Sequence, residues 1–135
     1  MDELNTKGRA AKEAARRLGA LSTERKNRAL RAMAREILKE QPLIMQANGR
    51  DLEAARRDGI NEVLLDRLAL NESRIADMVK GLEALCELPD PVGEELRSWS
   101  LANGLKIRKV RVPLGVVGMI YEARPNVTVD VASLC

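Results

Sequence analysis

Histidine and phenylalanine are absent from this chain, and it has one tryptophan, one tyrosine and two cysteines. Without histidine the sequence can supply neither an imidazole base nor a His-ligated metal centre, and no metal site is expected. Without a set of aromatic rings it cannot build the stacking platforms that bind single-stranded nucleic acid. Cys86 and Cys135 lie in apolar surroundings and lack CxxC spacing. That is the pattern of reduced thiols in a cytoplasmic protein. No apolar run reaches the ~18 residues of a membrane span. The first residues, MDELNTKGRAAKEAARRLG, turn acidic at once and have no apolar segment of the kind a secretory signal needs. Gly115-Val116-Val117-Gly118 is neither GxGxxG nor a P-loop, because no Lys-Ser/Thr follows its second glycine. Internal repeats are also missing.

What is present is a core vocabulary of Leu, Ile, Val, Ala and Met. At 45% hydrophobic over 135 residues, the chain can bury one real core. Charge is segregated along it. Residues 1–58 carry a net +5, residues 59–103 a net −5 and residues 104–135 a net +3. Segments of opposite sign that fold together largely cancel, which favours a mixed solvated surface over a nucleic-acid patch.

Periodicity divides the chain. Ala11, Ala14, Ala15 and Leu18 mark a first helix over 3–20. Ser22 and Thr23 are N-cap candidates for a second helix reaching Glu40, with a buried stripe of Leu30, Met33, Ala34, Ile37 and Leu38. Pro42 suits the first turn of a third helix that ends before Gly59, although Asn48-Gly49 weakens its middle. Asn61 and Asn71 are positioned to cap helices over Glu62–Arg67 and Glu72–Glu87. Ile75, Met78, Val79, Leu82, Leu85 and Cys86 form the buried face of the latter, so Cys86 reads as a core thiol. Leu88-Pro89-Asp90-Pro91 closes the helical block. Two strands, Leu96–Leu101 and Leu105–Val112, follow around an Ala102-Asn103-Gly104 turn, with a bulge expected near Arg108-Lys109.

The last stretch differs from the rest. An expected strand, Leu114–Tyr121, runs into a polar loop, Glu122-Ala123-Arg124-Pro125-Asn126, and then into a helix that takes Cys135 into apolar surroundings. Helix N-termini attract anions. Arg124 can grip a carboxylate or phosphate with two hydrogen bonds. Asn126 offers an uncharged donor for a developing oxyanion. The same residues could equally be structural, with Asn126 capping the helix and Arg124 paired with Glu122. Spacing alone does not choose between the two.

A resemblance tips the balance toward a site. VPLGVVGMIYEARPNVTVDVASLC closely resembles the signature region of the gamma-glutamyl phosphate reductase family, a branch of the aldehyde dehydrogenase superfamily. AAKEAARRL, NGRDLEAARRDGINEVLLDRLALNESRIADM and LPDPVGE extend the similarity over essentially the whole chain. It implies an α/β fold in three parts. Residues 1–93 would be the helical N-terminal part of the cofactor domain. Residues 94–112 would be the β-hairpin of an oligomerisation sheet, and residues 113–135 the first strand-loop-helix of the cofactor domain.

The resemblance also implies an activity, the NADPH-dependent reduction of L-glutamate 5-phosphate to L-glutamate 5-semialdehyde in proline biosynthesis, in a cytoplasmic homo-oligomer. In the family a cysteine thiolate attacks the acyl phosphate, phosphate leaves, and hydride reduces the resulting thioester. Asn126 is then the oxyanion candidate, although an ungapped match of the preceding strand puts Arg124 at that position. Arg124 is the substrate-binding candidate, and Tyr121 and Glu122 approach the dinucleotide through their backbone. The family's nucleophile lies downstream of RPNVTVD, and neither Cys86 nor Cys135 occupies its motif. The chain is thus expected to be the N-terminal part of a longer reductase and to be inactive by itself. The rival is a small basic helical module that binds nucleic acid or a protein partner through Arg16-Arg17, Arg25–Arg35 and Arg56-Arg57. It leaves the strand-loop-helix segment unexplained.

Overall fold

A computed structural model describes residues 2–135. The described chain is α/β, mainly helical with one two-stranded antiparallel sheet. In order the elements are α1 (Asp2–Leu18), α2 (Thr23–Lys39), α3 (Gln41–Arg57), α4 (Glu62–Leu68), α5 (Glu72–Glu87), β1 (Glu95–Ser100), β2 (Lys106–Val110) and α6 (Asn126–Leu134). They fall into two compact units. One is Glu24–Leu88 with Met119–Cys135, and the other is Pro89–Gly118 with the chain up to Thr23. None of the described helices is long and apolar enough to cross a membrane.

Local chemistry sets the helix ends of the first unit. Pro42 sits in the opening turn of α3, where a missing N–H costs nothing. Gly59, just past the end of α3, takes φ +72°, a conformation that glycine adopts without a Cβ clash. The Asn61 side chain accepts from the Leu64 amide at 3.0 Å, and that of Asn71 from the Arg74 amide at 2.8 Å. Each satisfies one of the amides that a helix start leaves unpaired.

The core of this unit is built on α5. Ile75 and Leu82 are 0% and 1% exposed, and Met78, Val79 and Cys86 complete the buried face. Each fully buried aliphatic side chain contributes about 1.5–3 kcal/mol. Ala34 of α2 joins Val79 and Leu82, and Leu30, Met33, Ile37 and Val129 pack around them. Val129 thus seats α6 on the core and fixes where the loop before it lies. Two expected burials fail. Leu38 is 48% exposed, since periodicity marks a face of a helix but not how far a neighbour covers it. Cys135 is exposed as well. It follows Val129 by six residues, roughly 240° around the helix from the packed side.

Asn48-Gly49 does not interrupt α3. Asn48 is buried, and its amide donates to the Leu68 carbonyl at 2.9 Å while accepting from the Leu70 amide at 2.7 Å. What reads in the sequence as a weak point of the helix is its anchor to the turn after α4.

In the second unit the hairpin forms as expected around Ala102-Asn103-Gly104, with β1 lying one residue earlier than expected and β2 three residues shorter. The Gly104 amide donates to the Leu101 carbonyl at 2.9 Å, and Asn103 Oδ1 accepts from the Leu105 amide at 3.1 Å. The bulge lies on the facing strand rather than at Arg108-Lys109. Pairing steps from Glu95↔Val110 to Arg97↔Lys109, leaving Leu96 as the extra residue. Leu114–Tyr121, expected as a strand, belongs to no helix or sheet. A strand is held by a neighbour's hydrogen bonds, and among the described residues no segment pairs with it. Its side chains stand open to solvent, Leu114 at 93% and Ile120 at 100%.

Candidate functional site

The loop before α6 is shaped by one unusual backbone residue. Ala123 has φ +49°, the only non-glycine residue with positive φ among those described. A left-handed conformation costs an alanine about 1–2 kcal/mol. It turns the chain sharply between Glu122 and Arg124. Pro125 follows as the N-cap of α6 in αR geometry and provides no side-chain cap. Asn126 is the first residue of the helix.

The purely structural alternatives for this loop are not formed. Asn126 donates from Nδ2 to Asp130 Oδ2 at 2.9 Å along its own helix and does not cap it. An amide nitrogen carries two hydrogens, so one N–H remains for another acceptor. Arg124 is exposed and does not pair with Glu122. Its carbonyl accepts from the Val127 amide at 3.1 Å, but among the described residues its guanidinium makes no hydrogen bond or ion pair. Tyr121 is anchored through its hydroxyl, 2.6 Å from Thr128 Oγ1 on α6. Glu122 is exposed.

Arg124, Asn126 and Asp130 form one wall of a cleft of about 410 Å³. The opposite wall is the end of α4, the turn after it and the start of α5, with Asp66, Arg67, Ala69, Leu70, Arg74 and Asp77. Arg74 braces this turn. Its guanidinium bonds the Asp66 carbonyl, the Ala69 carbonyl at 2.7 Å and the Asp66 carboxylate at 2.9 Å. Asp77 pairs with Lys80 at 3.1 Å. A larger hollow of about 740 Å³ lies in the other unit between α1 and Pro113–Val116. It is mostly apolar and contains none of the expected site residues, so the smaller, charged cleft is the better candidate. No cluster of three or more His, Cys, Asp or Glu is placed to hold a metal among the described residues.

The chain shares 59% identity over 133 residues with the gamma-glutamyl phosphate reductase of Moorella thermoacetica and 57% over 133 residues with that of Heliobacterium modesticaldum. Each match covers 98% of this chain and 32% of the relative. The solved gamma-glutamyl phosphate reductase of Thermotoga maritima superposes with a TM-score of 0.95 at 45% identity, covering 98% of this chain and 32% of that one. The chain matches the N-terminal part of the gamma-glutamyl phosphate reductases. The Saccharomyces cerevisiae reductase agrees, with a TM-score of 0.84 at 32% identity over 92% of this chain. No protein-family model matches. The chain spans about a third of the length of the curated reductases it matches.

The sequence pointed to only one wall of the cleft. Arg124 and Asn126 stand together on it, with Tyr121 tied to the same helix. The wall carrying Asp66, Arg67 and Arg74 comes from helices that the sequence marks only as packing material. One signal was available. Arg74 lies in the first turn after the Asn71 cap, where its side chain can reach back to carbonyls left open at the end of α4.

Proposed function

We propose that this chain forms the N-terminal part of an NADPH-dependent reductase that converts L-glutamate 5-phosphate to L-glutamate 5-semialdehyde. The observation that carries this reading is the 59% identity to a gamma-glutamyl phosphate reductase over 98% of the chain. In the proposed reaction Arg124, unpaired at the mouth of the cleft, holds a carboxylate or phosphoryl oxygen of the substrate through its planar fork. The free N–H of Asn126 donates to the carbonyl oxygen as it gains charge. Asp130 fixes the Asn126 amide in the orientation that this donation needs.

NADPH supplies the hydride when bound. Tyr121 and Glu122 suit a ligand held through main chain, because this segment is outside any helix or sheet and its peptide groups are not committed to a ladder. The Tyr121–Thr128 bond holds the segment against α6. The nucleophilic cysteine is not one of this chain's two. Cys86 is buried in the core, and Cys135 lies at the far end of α6 from Arg124. In the whole protein the hairpin, with Leu96, Trp99 and Val110 exposed, would take part in a homo-oligomer in the cytoplasm.

A chimera tests the proposal. This chain replaces the matching third of the Thermotoga maritima reductase, and NADPH oxidation by L-glutamate 5-phosphate is followed. Turnover near that of the parent is expected. A folded chimera without turnover would overturn the reading. Arg124→Ala and Asn126→Ala in the active chimera assign the loop, with a higher KM expected from the first and a lower kcat from the second.

A further inference from the structure

The charged groups of the cleft are unequally engaged. It is lined by three carboxylates and three guanidiniums. Each carboxylate has a partner, but only two have a cation, Asp66 in Arg74 and Asp77 in Lys80, while Asp130 accepts from the uncharged amide of Asn126. Of the guanidiniums, Arg74 is bound to its own turn. Those of Arg67 and Arg124 are left, one on each wall, and among the described residues neither guanidinium makes a hydrogen bond or ion pair. Against the one carboxylate that no cation pairs, Asp130, two free guanidiniums still leave the cleft net positive, which favours an anionic ligand whose oxygens both can grip.

The wall that carries Arg67 is held from behind. Asn48 bonds the Leu68 carbonyl and the Leu70 amide much as a neighbouring strand would, and it does so from a buried position. Arg74 holds the same turn from the cleft side. The backbone that carries Arg67 therefore runs into a turn fastened on both faces.

We propose that Arg67 is a second substrate-binding residue, gripping an anionic group of the substrate opposite Arg124, and that Asn48 is the positioning residue that holds Arg67 there. The proposal rests on the reading of the cleft as the reductase's substrate site. A substrate with a carboxylate at one end and an acyl phosphate at the other would give each arginine its own anion.

The test uses the chimera described above. Arg67→Ala, at an exposed and unpaired position, should fold normally and raise KM for L-glutamate 5-phosphate by about ten- to a hundredfold, with kcat much less affected and KM for NADPH unmoved. Arg67→Lys should recover part of that loss. Asn48→Ala should raise the same KM, and its effect should disappear in the Arg67→Ala background, because it acts through Arg67. An unchanged KM in Arg67→Ala would overturn the proposal. So would an Asn48→Ala effect that persists in full without Arg67. A second readout does not depend on turnover. Inorganic phosphate titrated into the 135-residue chain should shift the guanidinium resonances of Arg67 and Arg124 together, and the shift should be lost in either alanine variant. A chimera without turnover whose parent chain still shows the paired shift overturns the reductase reading and keeps the two-arginine grip. Turnover with no KM change overturns the grip alone.

Discussion

Asn27 and Cys86 are bonded to each other twice. The Asn27 amide donates to the Cys86 carbonyl at 3.0 Å, and the Cys86 thiol donates to the Asn27 carbonyl at 3.7 Å. The carbonyl of Cys86 belongs to the last turn of α5, where no further residue of the helix can satisfy it. Asn27 of α2 satisfies it instead, so the pair pins the start of one helix to the end of another.

Breaking that pair should show in stability. Asn27→Ala leaves the carbonyl unpaired and should cost about 1 kcal/mol. Cys86→Ala opens a small void on the buried face of α5 and should cost about 1–2 kcal/mol. Urea unfolding measures both. The same burial predicts that a thiol reagent labels Cys135 alone in the native chain and both cysteines after unfolding. Native labelling of Cys86 at the rate of Cys135 would contradict the packing described.

The two asparagine caps should behave alike. Asn61→Ala and Asn71→Ala each remove one side-chain acceptor from a helix start. Each should lower stability by about 1 kcal/mol, while glycine at either position should cost only a few tenths. A thermal melt of the four variants gives the comparison, and equal losses for alanine and glycine would argue against capping.

Ala123→Gly should separate strain from function. Glycine takes φ +49° freely, so the folded state loses a strain of about 1–2 kcal/mol, partly offset by a more flexible unfolded chain. A net gain of up to about 1 kcal/mol is expected. In the active chimera the looser turn should hold Arg124 less firmly, and KM for the acyl phosphate should rise. A variant that is less stable than the parent would mean the turn is not strained.

Gly104 presents the opposite case. Its φ is +84°, and a Cβ added there meets no atom within 4 Å. Any loss in Gly104→Ala is therefore conformational, expected at about 1–2 kcal/mol. Gly104→Asn should recover part of it, since asparagine tolerates the left-handed region better than alanine. Equal melting temperatures for the three proteins would refute this account of the turn.

How much of this was legible in the sequence depended on the range of the interaction. Asn61, Asn71, Pro42, Gly59 and the Asn103-Gly104 turn act on residues within a few positions, and their chemistry could be read directly. The apolar run Leu114–Tyr121 was also read, but a strand needs a partner that no local pattern supplies. Leu38 and Cys135 lie on apolar stripes whose covering depends on how far other helices extend. The loop wall of the cleft was legible because Arg124 and Asn126 are adjacent in sequence. Arg67 and Asn48 were not, because only the packing of α3 against the turn after α4 gives them a common task.

The uncovered run from Leu114 to Tyr121 also has a practical consequence. A protease binds its substrate as an extended peptide and must strip away any hydrogen bonds that peptide makes within its own fold. This run makes no ladder bonds and displays Leu114, Met119, Ile120 and Tyr121 to the solvent. The first cut by an enzyme that prefers large apolar residues should fall here, leaving the helices on either side intact.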